Sequence, residues 1–193
     1  YTSKDSVDAA FKNANERISK DITVLEFHKI IAPLVALSRE DHTDIYLPKD
    51  IQNTINKDGN IRFLPLTVVF LGEKLYCFKN ASNTTEKIEN LEIETINGET
   101  PTEITAKIAS LFASDGYIKT VKFSDLKGFN FARYYFYYNG WIENFQIKFK
   151  EIPEIVQIES LPISKINENL KNNKSLKSDD QPLEFKLVDS ETA

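Results

Sequence analysis

The chain has two histidines, His28 and His42, and the second stands among residue types that serve proton transfer and metal binding. In "SREDHTDIYLP", from Ser38 to Pro48, His42 is flanked by Glu40, Asp41 and Asp44 and followed by Thr43. A neutral imidazole can take a proton from a hydroxyl and return it to a leaving amine, provided an acceptor orients its other nitrogen. The three carboxylates offer that acceptor. Together with His28 they offer metal ligation as well, but no His-Glu-x-x-His or paired-cysteine spacing supports it, and no metal is expected. A third reading is structural: an imidazolium just past a helix end interacts favourably with the last carbonyls.

A base needs a nucleophile, and a hydrolytic serine sits on a tight, usually glycine-containing turn that also offers oxyanion amides. None of Gly59, Gly72, Gly98, Gly116, Gly128 and Gly140 has a serine next to it. Ser124 and Lys127 match a Ser-x-x-Lys spacing, a match expected by chance in a chain rich in both residues. No two glycines fall within six residues of each other, so no phosphate or dinucleotide loop is present and no cofactor is expected. By its own residues the chain completes no catalytic site.

The 193 residues suffice for one ordinary domain or two small units sharing a core. Hydrophobic residues at 41% and charged residues at 27% fit a soluble globular protein. A net charge of -5 argues against nucleic acid as a partner, which requires a basic face. No apolar run approaches the roughly 20 residues that span a bilayer, and the first residues contain no apolar signal-peptide core. No methionine occurs, so the natural N-terminus is expected upstream of Tyr1, and "EFKLVDSETA" opens a new strand where the sequence stops. Cys77 in "KLYCFK" reads as a buried thiol. The glycosylation-type triplets at Asn80 and Asn83 read as chance matches in a polar loop.

The elements that must position these residues are legible in part. Val7, Ala10, Phe11, Ala14 and Ile18 have helical spacing over Ser6 to about Ser19. A second helix starts at the capping box Thr23-Val-Leu-Glu26, is expected to kink or restart at Pro33, and fails near Ser38 to Asp41. "LPLTVVFLGEKLYCFKN" predicts two strands around Gly72-Glu73, and "LEIETING" a third strand with a turn at Asn97-Gly98. Thr100, Pro101 and Glu103 sign the start of a helix whose Ile104, Ile108, Leu111 and Phe112 face a core. The aromatic run Phe129–Phe149 is either core filling or a stacking platform for sugars or single-stranded bases, and "ENFQIKF" favours the core. The stretch "NENLKNNKSLKSDDQP" reads as a helix end and linker.

The order of these segments resembles the N-terminal half of a tail-specific, carboxyl-terminal processing serine peptidase of the tricorn-like branch. The residues that carry the resemblance are "LSREDHTDIYLP", "LPLTVVF", "KLYCF", "LEIETINGETPTEI" and "PLEFKLVDSETA". His42-Thr43 falls on the family's His-Thr, and Ile96-Asn97-Gly98 on the Ile-Asn-Gly of its PDZ-like domain. Glu40 stands where the family has Asp, and Asp41 where it has Gly. The resemblance implies an α+β chain with a helical subdomain over residues 1–48, a PDZ-like domain with a mixed sheet and one packed helix over 60–150, and a linker with the first strand of a catalytic domain over 151–193. It implies a peptide groove between the strand Leu66–Phe70 and the helix Thr102–Phe112, with binding residues Phe63, Leu64, Leu66, Val68, Ile104 and Ile108. It also implies a peptide or protein substrate, a catalytic domain beyond Ala193 that His42 serves as base, and a periplasmic or extracellular location. The loop Arg62–Pro65 has no glycine and loses an amide at Pro65, which points to internal-peptide binding or a gating role. The alternatives are a stand-alone PDZ-like peptide-binding or adaptor module and a carbohydrate-binding surface.

Overall fold

The computed structural model describes residues 2–18, 20–118 and 120–172. Helices α1 (Lys4–Arg17), α2 (Val24–Ala36) and α3 (Lys49–Lys57) come first. Strands β1 (Leu66–Leu71), β2 (Lys74–Asn80) and β3 (Glu92–Ile96) follow. Helices α4 (Pro101–Ile108, extended by a 3₁₀ turn over Ala109–Leu111), α5 (Thr120–Asp125) and α6 (Asn130–Asn139) separate these from β4 (Asn144–Phe149) and β5 (Ile155–Glu159). Helix α7 (Ile163–Asn172) ends the described chain, and the expected strand in "EFKLVDSETA" lies outside the described residues. The architecture is α+β.

Local chemistry explains the element starts. Thr23 accepts from the Glu26 amide while Glu26 accepts from the Thr23 amide, and Thr100 and Glu103 repeat the exchange at α4. Each box satisfies amides that a helix start leaves free. Pro33 does not divide α2, which runs unbroken to Ala36. Helix α3 occupies a stretch that reads as merely polar, because only Ile51 and Ile55 mark its inner face.

The sheet corrects one expectation. It is antiparallel throughout, in the order β1-β2-β3-β4-β5, and not mixed. Short hairpin connections join β1 to β2 and β4 to β5, and tight connections of that kind force antiparallel neighbours. Asn97 (φ 52°) and Gly98 (φ 82°) both occupy left-handed backbone, which lets β3 turn sharply into α4. Asn97 is also pinned from the side, since its amide donates to the Gln146 carbonyl and its Oδ1 accepts from the Gln146 amide at 2.8 Å.

One buried core joins the segments. Ala32, Leu47 and Ile55 of the helical region belong to it together with Leu66, Leu75, Ile93, Phe145 and Ile158 of the sheet. The expected division between residues 1–48 and 60–150 therefore does not separate two cores. The segment after residue 150, expected as a linker, supplies β5 as an edge strand and α7 as a packed helix. The aromatic run becomes α6 followed by β4, and Phe131, Tyr135, Phe136, Tyr137, Phe145 and Phe149 are buried. Burying such side chains contributes about 1.5–3 kcal/mol each, so the run is a principal source of stability.

Candidate functional site

Helix α2 unwinds through three short-range bonds, from the amides of Leu37, Ser38 and Arg39 to the carbonyls of Leu34, Val35 and Ala36. Arg39 then takes a left-handed conformation (φ 54°), a position that glycine or asparagine fills at lower cost. The chain beyond it is fastened to the segment after α4. The Arg39 carbonyl accepts from Gly116 at 3.0 Å, the Asp115 carboxylate from the Asp41 amide at 2.9 Å, and the Asp44 carboxylate from the Ala113 amide at 2.7 Å. These bonds set the loop carrying Tyr117 against the end of α2.

Helix α4 forms the adjacent wall. Its C-terminal carbonyls would otherwise lack partners, and the Lys122 ammonium donates to two of them, Ala109 (2.7 Å) and Phe112 (2.9 Å). Burial holds the Lys122 pKa below the ordinary lysine value, with the Asp44 carboxylate acting in the opposite sense. Between these parts lies an open cleft of about 440 Å³. Ala36, Ala106, Ala109, Ile118 and Phe123 give it an apolar lining, and Arg39, Lys122 and Glu73 supply its charges. The Arg39 guanidinium lies under the Tyr117 ring, 3.8 Å from the centroid. Two buried polar atoms of lining residues, Arg39 Nη1 and Thr105 Oγ1, have no hydrogen-bond partner among the described residues. The arrangement suits a ligand with an apolar body and one negatively charged group.

A smaller cavity of about 140 Å³ adjoins His28, Asp44, Arg133, Tyr134 and Tyr137. His28 Nε2 lies 3.1 Å from the Ile45 carbonyl and must be the protonated nitrogen, because a carbonyl only accepts. Its Nδ1 is buried without a partner among the described residues, and burial lowers the pKa of His28. Burial also pushes the Tyr134 hydroxyl up to about 12.

The residues singled out from sequence fall in two places. His42 is exposed in the turn after α2, and its ring makes no hydrogen bond among the described residues. Two of the three nearby carboxylates are otherwise engaged: Glu40 accepts from the His42 amide (3.3 Å) and the Thr43 hydroxyl, and Asp44 from Ala113 and Tyr46. Ser124 and Lys127 are both exposed on the surface.

Phe63, Leu64, Leu66, Val68, Ile104 and Ile108 are brought together, but inside the core, each at most 1% exposed. In this conformation their side chains are not available to a ligand. The free edge of β1 is also blocked at Val68, whose amide and carbonyl pair with Gly128 at 3.2 and 2.7 Å. The cleft uses the neighbouring face of α4, through Thr105, Ala106 and Ala109. Arg39, Tyr117 and Lys122 carry no sequence signal of their own, apart from the turn-forming "SDGY" before Tyr117. The cysteine reading agrees with the structure: Cys77 is fully buried, and burial pushes its thiol up to about 12.

No protein-family model matches the chain, and no curated protein sequence matches it either.

Proposed function

We propose that this chain is a non-catalytic peptide-binding module that positions or gates a peptide in the cleft beside α4. The observation that carries the reading is the cleft itself, an open space of about 440 Å³ with an apolar lining and cations at Arg39 and Lys122. It has the size and composition of sites that seat a few side chains and one polar group. Ala106 is exposed on the cleft wall, so Ala106→Trp fills the space without touching the core. Fluorescently labelled pentapeptides of mixed apolar and acidic sequence should bind the chain saturably and lose that binding in Ala106→Trp. Equal binding to both proteins, or none at millimolar peptide, would overturn the proposal.

A second reading follows the family resemblance, in which the module serves a tail-specific serine peptidase outside the cytoplasm and His42 is the base for a serine on another domain. Its support is that His42 is exposed and its ring is uncommitted among the described residues. On this reading the chain alone hydrolyses neither casein nor generic esters, while His42→Ala abolishes turnover in a parent that carries the serine. Survival of turnover within a few-fold, with folding intact, would reduce His42 to a turn residue.

A further inference from the structure

We propose that the cleft selects an acidic side chain within an apolar peptide segment, with Arg39 as the carboxylate's partner and the Tyr117 ring as a lid over it; this rests on the peptide-binding reading above. Three independent features of Arg39 converge. Its backbone is held at φ 54°, where glycine would be less strained, so the position retains a side chain at a conformational cost. Its Nη1 is buried with no acceptor among the described residues, which leaves a charged donor unsatisfied. Arg39 lines a cleft in which Glu73 is the only carboxylate-bearing lining residue among the described residues.

Arginine's planar fork matches a carboxylate and can donate to both of its oxygens. A nitrogen below the surface is reached by a carboxylate on a stem of one or two methylenes. A chain-terminal carboxylate has no such stem, because it is attached directly to a Cα that carries a side chain and an amide. The apolar lining at Ala106, Ala109 and Ile118 then receives the neighbouring side chains. Glu73 opposes a second negative charge, which sets the preference at one acid per segment.

Tyr117 is suited to be the lid. It is 75% exposed, follows Gly116 in left-handed backbone (φ 56°), and packs on Arg39 through its ring face. A ring this exposed, held by a single cation–π contact among the described residues, can swing away. A carboxylate entering beneath it replaces a cation–π contact with a charged hydrogen-bonded pair.

The test uses the full chain and three labelled peptides: acetyl-Ala-Leu-Glu-Leu-Ala-amide, its Gln counterpart as an amide, and the Gln counterpart with a free C-terminus. Fluorescence anisotropy should show the Glu peptide binding at least tenfold more tightly than either Gln peptide. Arg39→Gln should erase that difference, and Tyr117→Ala should tighten Glu-peptide binding several-fold. Circular dichroism melts establish that the variants fold, and Arg39→Gly, which relieves the backbone, repeats the Arg39 test if Arg39→Gln does not. Equal affinity for the Glu and Gln amides would overturn selection of the acid while leaving peptide binding intact. Preference for the free C-terminus would overturn the side-chain assignment, weaker binding by Tyr117→Ala would overturn the lid, and no binding of any peptide would remove both proposals.

Discussion

The carbonyl of Arg39 accepts a hydrogen bond from Gly116 while the Arg39 guanidinium packs under Tyr117, the next residue in the chain. Main chain and side chain of one residue thus hold the same loop from two sides. The loop that forms one wall of the cleft depends on a backbone conformation that arginine adopts only under strain.

That strain should be measurable. Arg39→Gly is expected to raise stability by up to about 1 kcal/mol, reduced by the loss of the contact with Tyr117. Arg39→Val, which puts a β-branched residue in left-handed backbone, should lower it by more than about 1 kcal/mol. Urea denaturation of the three proteins gives the order Gly, Arg, Val; a different order means that the conformation is not strained.

His28 should give the fold an acid-sensitive limb. Burial lowers its folded pKa, so the unfolded chain binds that proton more tightly than the folded one. Stability is then complete above the unfolded value of about 6.5 and declines as pH falls toward the lower folded value. Denaturation midpoints between about pH 5 and pH 7.5 should climb with pH in the wild type. In His28→Gln, which keeps a donor for the Ile45 carbonyl, this contribution should disappear.

Thr100→Ala should cost about 1 kcal/mol, because the α4 start loses the hydroxyl that accepts from the Glu103 amide. Thr23→Ala should cost a similar amount at α2. The Thr100 substitution leaves the cleft lining intact, so peptide affinity should be unchanged under conditions where both proteins are folded. A large loss of affinity would show that the cap also sets the cleft's geometry.

Cys77 should resist thiol reagents in the native state. Its side chain is fully buried and its thiol is pushed up to about 12, so almost no thiolate exists near neutral pH. Labelling by an aromatic disulfide reagent should follow global unfolding and speed up with denaturant in proportion. Rapid labelling without denaturant would reveal a local opening of β2.

The parts legible in the sequence are those set by neighbours along the chain. Both capping boxes, the turn at Asn97-Gly98 and the hairpin around Gly72 have local chemistry and occur where that chemistry places them. Helix α3 was not legible, since two isoleucines in a polar stretch are too few to show a period. The antiparallel order was not legible because the β3–β4 pairing joins residues about fifty positions apart. Apolar residues such as Leu66 and Ile104 look alike whether they line a groove or a core, and the structure puts them in the core. The cleft escaped because it is assembled from five separate segments, and the setting of Arg39 comes from the backbone and not from its residue type.

The strand order has a consequence for how the chain folds. The β1–β2–β3 meander and the β4–β5 hairpin each form from neighbours in sequence, with small loop-closure costs. Their junction, where Ile93 meets Phe149 and Ile96 meets Ile147, closes a loop that contains α4, α5 and α6. Docking of the two halves therefore waits on the helices between them, and a nucleus built around that seam would be the slow event. Truncating Ile147 should then slow refolding more than truncating Leu75, which lies inside the first local unit.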